Sequence, residues 1–275
     1  MRAIVEIRFG RLQGRKVVLE PGKTLCVGRA ERAELVVPHD GQMSAVHCEI
    51  AWDGARCWVR DLGSIKGTWL DGERVDAGEV GHGGWIKAGA TVAMVYFEEK
   101  TPPRRGSDVE MTAVKARALA ALAAEEEPLF AVLDAARSER ILEVLRESVE
   151  QYRSLYEGVQ AEGFAEVAPY LVGLPKGSRL LERLVREGWG KRWGIYLTCK
   201  RPFKEVRTHL RRFLMVENEE TGEPMYFRFY DPAALRVLLP SCTALQRAAF
   251  FEEISAFVAE DKRGDARRFA AHEPG

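Results

Sequence analysis

The chain has 275 residues, long enough for two hydrophobic cores and short of three average domains. Hydrophobic residues make up 46% of it, with 12 Pro and 25 Gly, which argues against a disordered, collagen-like or coiled-coil molecule. Lys and Arg balance Asp and Glu at 41 each, so no global basic field advertises nucleic acid.

From Ala3 to Glu98 the sequence runs in short β-type stretches broken by Gly: Ala3–Phe9, Lys16–Leu19, Leu25–Val27, Leu35–Val37, Cys48–Trp52, Cys57–Asp61, Thr68–Leu70, Trp85–Lys87 and Val92–Phe97. That spacing predicts an all-β sandwich over residues 1–100. Asp53-Gly54 and Asp71-Gly72 tolerate positive φ and suit two-residue hairpins with antiparallel flanks. Residues 101–127 open with the breaker-rich Thr101-Pro102-Pro103-Arg104-Arg105-Gly106-Ser107 and continue as an Ala-rich helix former, the pattern of a linker that holds a helix.

After Pro128, strand-like and helix-like segments alternate, which predicts an α/β domain with a mixed sheet and several helices over 128–262. Strands are expected at Leu129–Asp134, Tyr152–Tyr156, Tyr170–Leu174, Trp193–Cys199, Met225–Tyr230 and Ala256–Ala259. Ser138, Ser178, Asp231 before Pro232, and Thr243 are placed to start helices, and Pro202 opens another. Residues 263–275 read as a flexible tail. Cys26, Cys48, Cys57, Cys199 and Cys242 are odd in number and form no C-x-x-C pair, so free thiols are expected and neither a metal site nor a cofactor motif is suggested. With no apolar run of roughly 20 residues, no membrane is expected, and the location expected is the cytoplasm.

Gly28-Arg29, Ser44-Ala45-Val46-His47 and Asp61-Leu62-Gly63-Ser64-Ile65-Lys66-Gly67-Thr68, with Gly84-Trp85-Ile86-Lys87-Ala88-Gly89 before the last strand, resemble in order and spacing the forkhead-associated (FHA) domain. The resemblance implies an 11-stranded sandwich that binds phosphothreonine peptides, and so a threonine-phosphorylated protein, on the loops at one end. It places Arg29 and Ser44 on the phosphate, Ile65 and Lys66 on the peptide, and His47, Gly67 and Thr68 in support of the site. An Arg fork and a Ser hydroxyl suit a phosphate dianion, each such bond contributing about 1.5–3 kcal/mol. The chain departs from the family at Ala45, Ile65 and Lys66, where members that read phosphothreonine well carry a polar or basic residue and then Thr-Asn. Two lost neutral hydrogen bonds weaken a peptide about 30-fold, with the Lys66 charge in partial compensation; a sandwich that keeps the fold without the ligand is the alternative. Singly, each residue also has an ordinary structural reading, Arg29 as a surface cation and His47 as a core imidazole among them.

In the second half, 176–212 holds 12 basic and 3 acidic residues, while 108–166 holds 6 basic and 13 acidic. Lys204, Arg207 and Arg211, with Arg212 beside them, recur on one helix face as a cationic ridge suited to a negative partner. The simpler alternative is a solvated helix face. Leu129-Phe130-Ala131-Val132-Leu133-Asp134, Tyr156-Glu157-Gly158, Ala168-Pro169-Tyr170, Glu187-Gly188-Trp189-Gly190-Lys191-Arg192-Trp193-Gly194 and Phe227-Arg228-Phe229-Tyr230-Asp231-Pro232 resemble the adaptor domain of type VI secretion systems. That resemblance implies a cytoplasmic chaperone that binds a type VI effector protein and helps load it onto the spike, the valine-glycine repeat protein. An Arg228–Asp231 pair at the sheet end, and Trp189, Trp193, Tyr226 and Tyr230 in the core, are the structural expectations there.

No G-x-S-x-G elbow, Walker loop, G-x-G-x-x-G or H-E-x-x-H is present, and Cys199 with His209 is an arbitrary nucleophile–base pair, so no enzyme is expected. The rival to an adaptor is a nucleic-acid-binding or phospho-dependent regulator that uses the basic 176–212 face.

Overall fold

A computed structural model describes residues 1–103, 110–157, 163–217 and 222–271, without the side chains of 217 and 224. It divides into two compact units, Met1–Pro102 with Arg146–Val149, and Pro103–Leu145 with Glu150–Gly275.

The first unit holds strands β1 (Ala3–Phe9), β2 (Lys16–Leu19), β3 (Lys23–Gly28), β4 (Leu35–Val36), β5 (Cys48–Trp52), β6 (Cys57–Asp61), β7 (Thr68–Leu70), β8 (Glu73–Val75), β9 (Ala77–Val80), β10 (Trp85–Ala88) and β11 (Thr91–Phe97). They form a six-stranded sheet, β2-β1-β11-β10-β7-β8, and a five-stranded sheet, β4-β3-β5-β6-β9. Alternation drives the packing: Leu25, Val27, Cys48, Ile50, Trp52, Cys57 and Val59 point inward and meet Ala3, Val5, Ile7, Ile86, Ala93 and Val95 of the other sheet in one core. Burial pushes the Cys48 and Cys57 thiols up to about 12, which makes them inert packing groups. Asp71 and Gly72, both at positive φ, close β7 and β8 as a two-residue hairpin. The Asp53-Gly54 turn takes four residues instead, because Asp53 Oδ1 accepts from the N–H groups of both Ala55 and Arg56.

In the second unit the order is α1 (Ala113–Ala124), β12 (Leu129–Asp134), a 3₁₀ turn (Ala135–Arg137), α2 (Glu139–Arg146), β13 (Tyr152–Ser154), β14 (Pro169–Leu174), α3 (Arg179–Gly188) and β15 (Gly194–Cys199). Then come α4 (Phe203–Arg211), β16 (Met215–Glu217), β17 (Pro224–Tyr226), α5 (Pro232–Ser241), α6 (Ala244–Phe251), β18 (Ile254–Glu260) and β19 (Ala266–Ala270). The central sheet is β13-β14-β12-β15-β18-β19, and every ladder in it runs antiparallel. Along β12, Leu129, Ala131 and Leu133 face one core with residues of α1, α2 and α3, and Phe130 and Val132 face another with residues of α4, α5 and α6. The sheet is therefore covered by helices on both faces, as expected of an α/β domain, but it is antiparallel throughout where a mixed sheet was expected.

Several details differ from expectation. The helix of the expected 101–127 linker is α1, whose Ala118 and Leu122 are built into the second unit's core. The expected tail begins with an ordered edge strand: β19 pairs with β18 and buries Phe269, while residues 272–275 lie outside the described part. The strand expected at Met225–Tyr230 stops at Tyr226, which is exposed, while Trp189, Trp193 and Tyr230 are buried as expected. Asp231 does not pair with Arg228. It accepts from Arg137 and Arg192 and caps the first turn of α5 through Ala233 N–H, while Arg228 binds Asp134. At Gly194 a Cβ would lie 2.0 Å from the Val132 carbonyl oxygen, so only glycine lets β15 meet β12 there.

Candidate functional site

Three loops meet at one end of the first unit, and their junction is built from backbone upward. Gly28 ends β3, and a Cβ there would stand 2.3 Å from the Ala45 carbonyl oxygen, so the absence of a side chain lets the following segment lie on the 43–46 loop. Arg29 N–H then donates to the Ser44 carbonyl at 3.0 Å, and Ala30 N–H to the Ala45 carbonyl at 3.1 Å. The third loop, 62–67, joins through Ile65 N–H, which donates to Ser44 Oγ at 3.0 Å.

His47 lies behind this junction, fully buried. Its Nδ1 accepts from Ser44 N–H at 3.1 Å, which leaves the ring proton on Nε2 to donate to the Gly67 carbonyl at 3.1 Å. Its own N–H donates to the Val27 carbonyl and its carbonyl accepts from Leu62 N–H. One imidazole thus ties the Ser44 loop to the Gly67 loop, and its backbone ties both to β3.

Two carboxylates fix the loops further, and neither was assigned a role from the sequence. Asp61 accepts from the hydroxyls of Ser64 and Thr68 at 2.5 and 2.6 Å and from Ser64 N–H at 2.9 Å. Burial works to raise its pKa, but the Ser64 and Thr68 bonds outweigh it and hold the carboxyl below its ordinary value. Asp40, also buried, accepts from Gln42 N–H, Ala90 N–H and the Thr91 hydroxyl, which anchors the loop carrying Ser44 to the turn between β10 and β11.

Arg29 and Lys66 are exposed, and neither side chain has a hydrogen bond or ion pair with another described residue. Ser44 Oγ spends an acceptor site on Ile65 N–H and keeps its own proton to give. Ile65 is 85% exposed. The loop end therefore offers an unpaired guanidinium, an ammonium and a hydroxyl donor on a braced backbone, a set suited to a phosphate dianion with an apolar contact beside it.

The ridge of the second unit is differently placed. Arg207 donates to the Ser154 and Tyr156 carbonyls at 2.7 and 3.2 Å and pairs with Glu157 at 2.8 Å. Arg211 donates to the Leu155 carbonyl at 2.8 Å and pairs with the same carboxylate, and Arg212 binds Glu252. The ridge expected to face a partner is, in three of its four members, a clamp on the segment after β13 and on the α6–β18 turn. Only Lys204 of the four lacks a partner among the described residues. Arg207 and Arg211 hold the Glu157 carboxyl below its ordinary range.

Cys199 and His209 do line one cavity, of about 520 Å³, with Arg201, Thr208, Glu252 and Glu253. The imidazole nitrogens are occupied by Glu252 at 2.7 Å and the Phe250 carbonyl at 2.8 Å. The Cys199 thiol donates to the Glu253 carbonyl at 3.2 Å, and burial raises its pKa, the opposite of what a nucleophile needs.

The comparisons agree with the two-part organisation. Residues 25–89 match the FHA domain family, and residues 129–249 match a family described as a domain of unknown function, DUF4123. The chain thus carries an N-terminal FHA domain, an interaction module rather than an enzyme, followed by a DUF4123 domain. Among solved structures, the FHA domain of the CT664 protein from Chlamydia trachomatis is 22% identical over 35% of this chain and 97% of its own, with a TM-score of 0.33. The FHA domain of an Arabidopsis thaliana hypothetical protein is 29% identical over 38% and 91%, with a TM-score of 0.33. An FHA domain from work on phosphothreonine-dependent interactions is 27% identical over 38% and 100%, with a TM-score of 0.32. No curated protein matches the chain. Among the described residues, no helix is long and apolar enough to cross a membrane.

Proposed function

We propose that this chain is a non-enzymatic adaptor whose FHA domain binds a threonine-phosphorylated segment of a partner protein, with Arg29 and Ser44 on the phosphate and Ile65 and Lys66 on the flanking peptide. The observation that carries this reading is the braced loop end itself, where Arg29 is exposed and unpaired while Ser44 keeps a free hydroxyl proton beside it. The match of 25–89 to the FHA domain supports it. Two surviving charge-assisted contacts suffice for a measurable preference even without the Thr-Asn pair, since each contributes about 1.5–3 kcal/mol.

For the second unit we infer the role of a type VI secretion adaptor that holds an effector and presents it to the spike, resting on the sequence resemblance of residues 128–260. No observation favours the nucleic-acid alternative, and three arginines of the face it would use, Arg207, Arg211 and Arg212, are engaged within the fold. Co-expression of the full chain with an effector and a spike protein encoded beside it tests the inference. Stable co-purification with the effector supports it, and separate elution of all three counts against it. Peptide titration tests the first unit independently.

A further inference from the structure

Resting on the adaptor reading of the second unit, we propose that one end of its central sheet carries a carboxylate-binding site, formed by Arg137, Arg192 and Arg228, which takes an acidic side chain of the protein that the unit holds. The three arginines come from the segments after β12, before β15 and before α5, and two carboxylates draw them together. Arg137 Nη2 lies 2.5 Å from Asp231 Oδ2, and Arg192 Nε lies 3.0 Å from Asp231 Oδ1. Arg137 Nε also stands 3.5 Å from Asp134 Oδ2, the oxygen that accepts from Arg228. All three guanidiniums are thus gathered around one pair of carboxylates.

The cluster is open to solvent on its cationic side. Asp134 and Asp231 are buried, whereas the side chains of Arg137, Arg192 and Arg228 are 30%, 44% and 46% exposed. Three positive charges over two negative ones leave an excess of one, and Glu260, the carboxylate next to Arg192, is taken by the N–H groups of Gly190 and Arg192. All three guanidinium nitrogens of Arg207 are bonded within the fold, but Arg137, Arg192 and Arg228 each leave Nη1 without a hydrogen bond among the described residues. Nor does the cluster satisfy itself: Asp134 Oδ1 is buried without a hydrogen-bond partner beside these donors, which a network built for stability alone would pair.

Backbone strain marks the same place. Arg192 has φ +57°, a left-handed conformation disfavoured for a residue with a Cβ, and Glu260 and Asp231 fix its backbone and its side chain there. Tyr156, which shares a hydrogen bond with Tyr230 and lies within reach of the Arg228 charge, packs on the exposed Tyr226 with ring centroids 6.2 Å apart. An acidic residue flanked by an apolar one matches that surface: guanidinium forks take the carboxylate, and the exposed ring takes its neighbour. A polyanion fits poorly, because a net charge of one above two buried carboxylates falls short of the several phosphates a nucleic acid presents.

The probe is the effector encoded beside this chain, titrated with the full-length protein. Arg228→Gln and, separately, Arg137→Gln should each weaken binding at least about tenfold, while Arg186→Gln, which changes an exposed arginine of α3, stays within about twofold of wild type. When the effector's acidic residues are replaced in blocks by Asn and Gln, one block should reproduce the loss, and Arg228→Gln should add less than about twofold to it, as for two partners of one contact. Arg228→Lys keeps a cation on Asp134 and loses the fork, so it should fall between wild type and Arg228→Gln at an unchanged melting temperature, which separates lost contact from lost fold. Folded arginine variants that bind the effector like wild type, or losses that multiply for every acidic block, overturn the site while the adaptor reading stands. A salt-sensitive shift on duplex DNA that the same variants abolish assigns the arginines to phosphate and overturns it too. Failure of the wild type to bind the effector overturns the adaptor reading and this one together.

Discussion

At the scale of single residues, what was legible in the sequence was what lies close along the chain. Arg29, Ser44, His47, Gly67 and Thr68 sit in short motifs whose order survives reading as text, and the structure brings them to one loop end. Asp40 was not legible, because its role depends on which turn folds over which loop: it reaches Thr91 across 51 residues. His47→Ala should strand Ser44 N–H and the Gly67 carbonyl together and destabilise the chain by about 2–4 kcal/mol, read from the shift of the denaturant midpoint. Asp61 gives a pH signature. Its folded pKa lies below the unfolded one, so its stabilisation is complete above the unfolded value and is lost as pH falls through the folded value. Thermal melts of the wild type should therefore drop more steeply between roughly pH 5 and pH 3 than those of Asp61→Asn, which starts lower at neutral pH. Parallel curves would show that Asp61 makes no such contribution.

At the scale of elements, caps and periodicity gave most of the second unit. Ser178, Asp231-Pro232 and Thr243 start α3, α5 and α6 where the sequence places them, each with its side-chain oxygen on a backbone N–H. Strands β8 and β9 escaped because they are short and mostly exposed, without the apolar alternation that betrays a strand. The arginine ridge was misread for a related reason. Helical spacing puts Arg207 and Arg211 on one face, but the carbonyls of Ser154, Leu155 and Tyr156 that receive them are about 50 residues away. Replacing both arginines with alanine should cost about 1–3 kcal/mol in chemical denaturation, as befits charge-assisted bonds to backbone and to Glu157. A ridge reserved for a partner would leave stability untouched. Gly194→Ala, which forces β15 away from β12, should be more damaging than either single arginine change, by about 2 kcal/mol or more.

At the scale of the whole molecule, the even charge of the sequence is a better guide than its local excesses. Six of the 12 basic residues of 176–212 find acids from outside that window: Arg192 pairs with Asp231, Lys200 with Glu127, Arg201 with Glu253, Arg207 and Arg211 with Glu157, and Arg212 with Glu252. What stays unpaired and exposed in the first unit includes Arg29, Lys66 and Arg74, gathered around the loops that His47 and Asp61 brace. Exposed, unpaired cations around a braced loop end are suited to meet an anion. The most direct test is a titration of the full-length protein with a phosphothreonine peptide library and its unphosphorylated counterpart. Binding should require the phosphate, and Arg29→Ala should weaken it about 10- to 100-fold, the worth of one lost phosphate fork. Equal affinity for the two peptide sets, or an Arg29→Ala curve that overlays the wild type, would contradict the account.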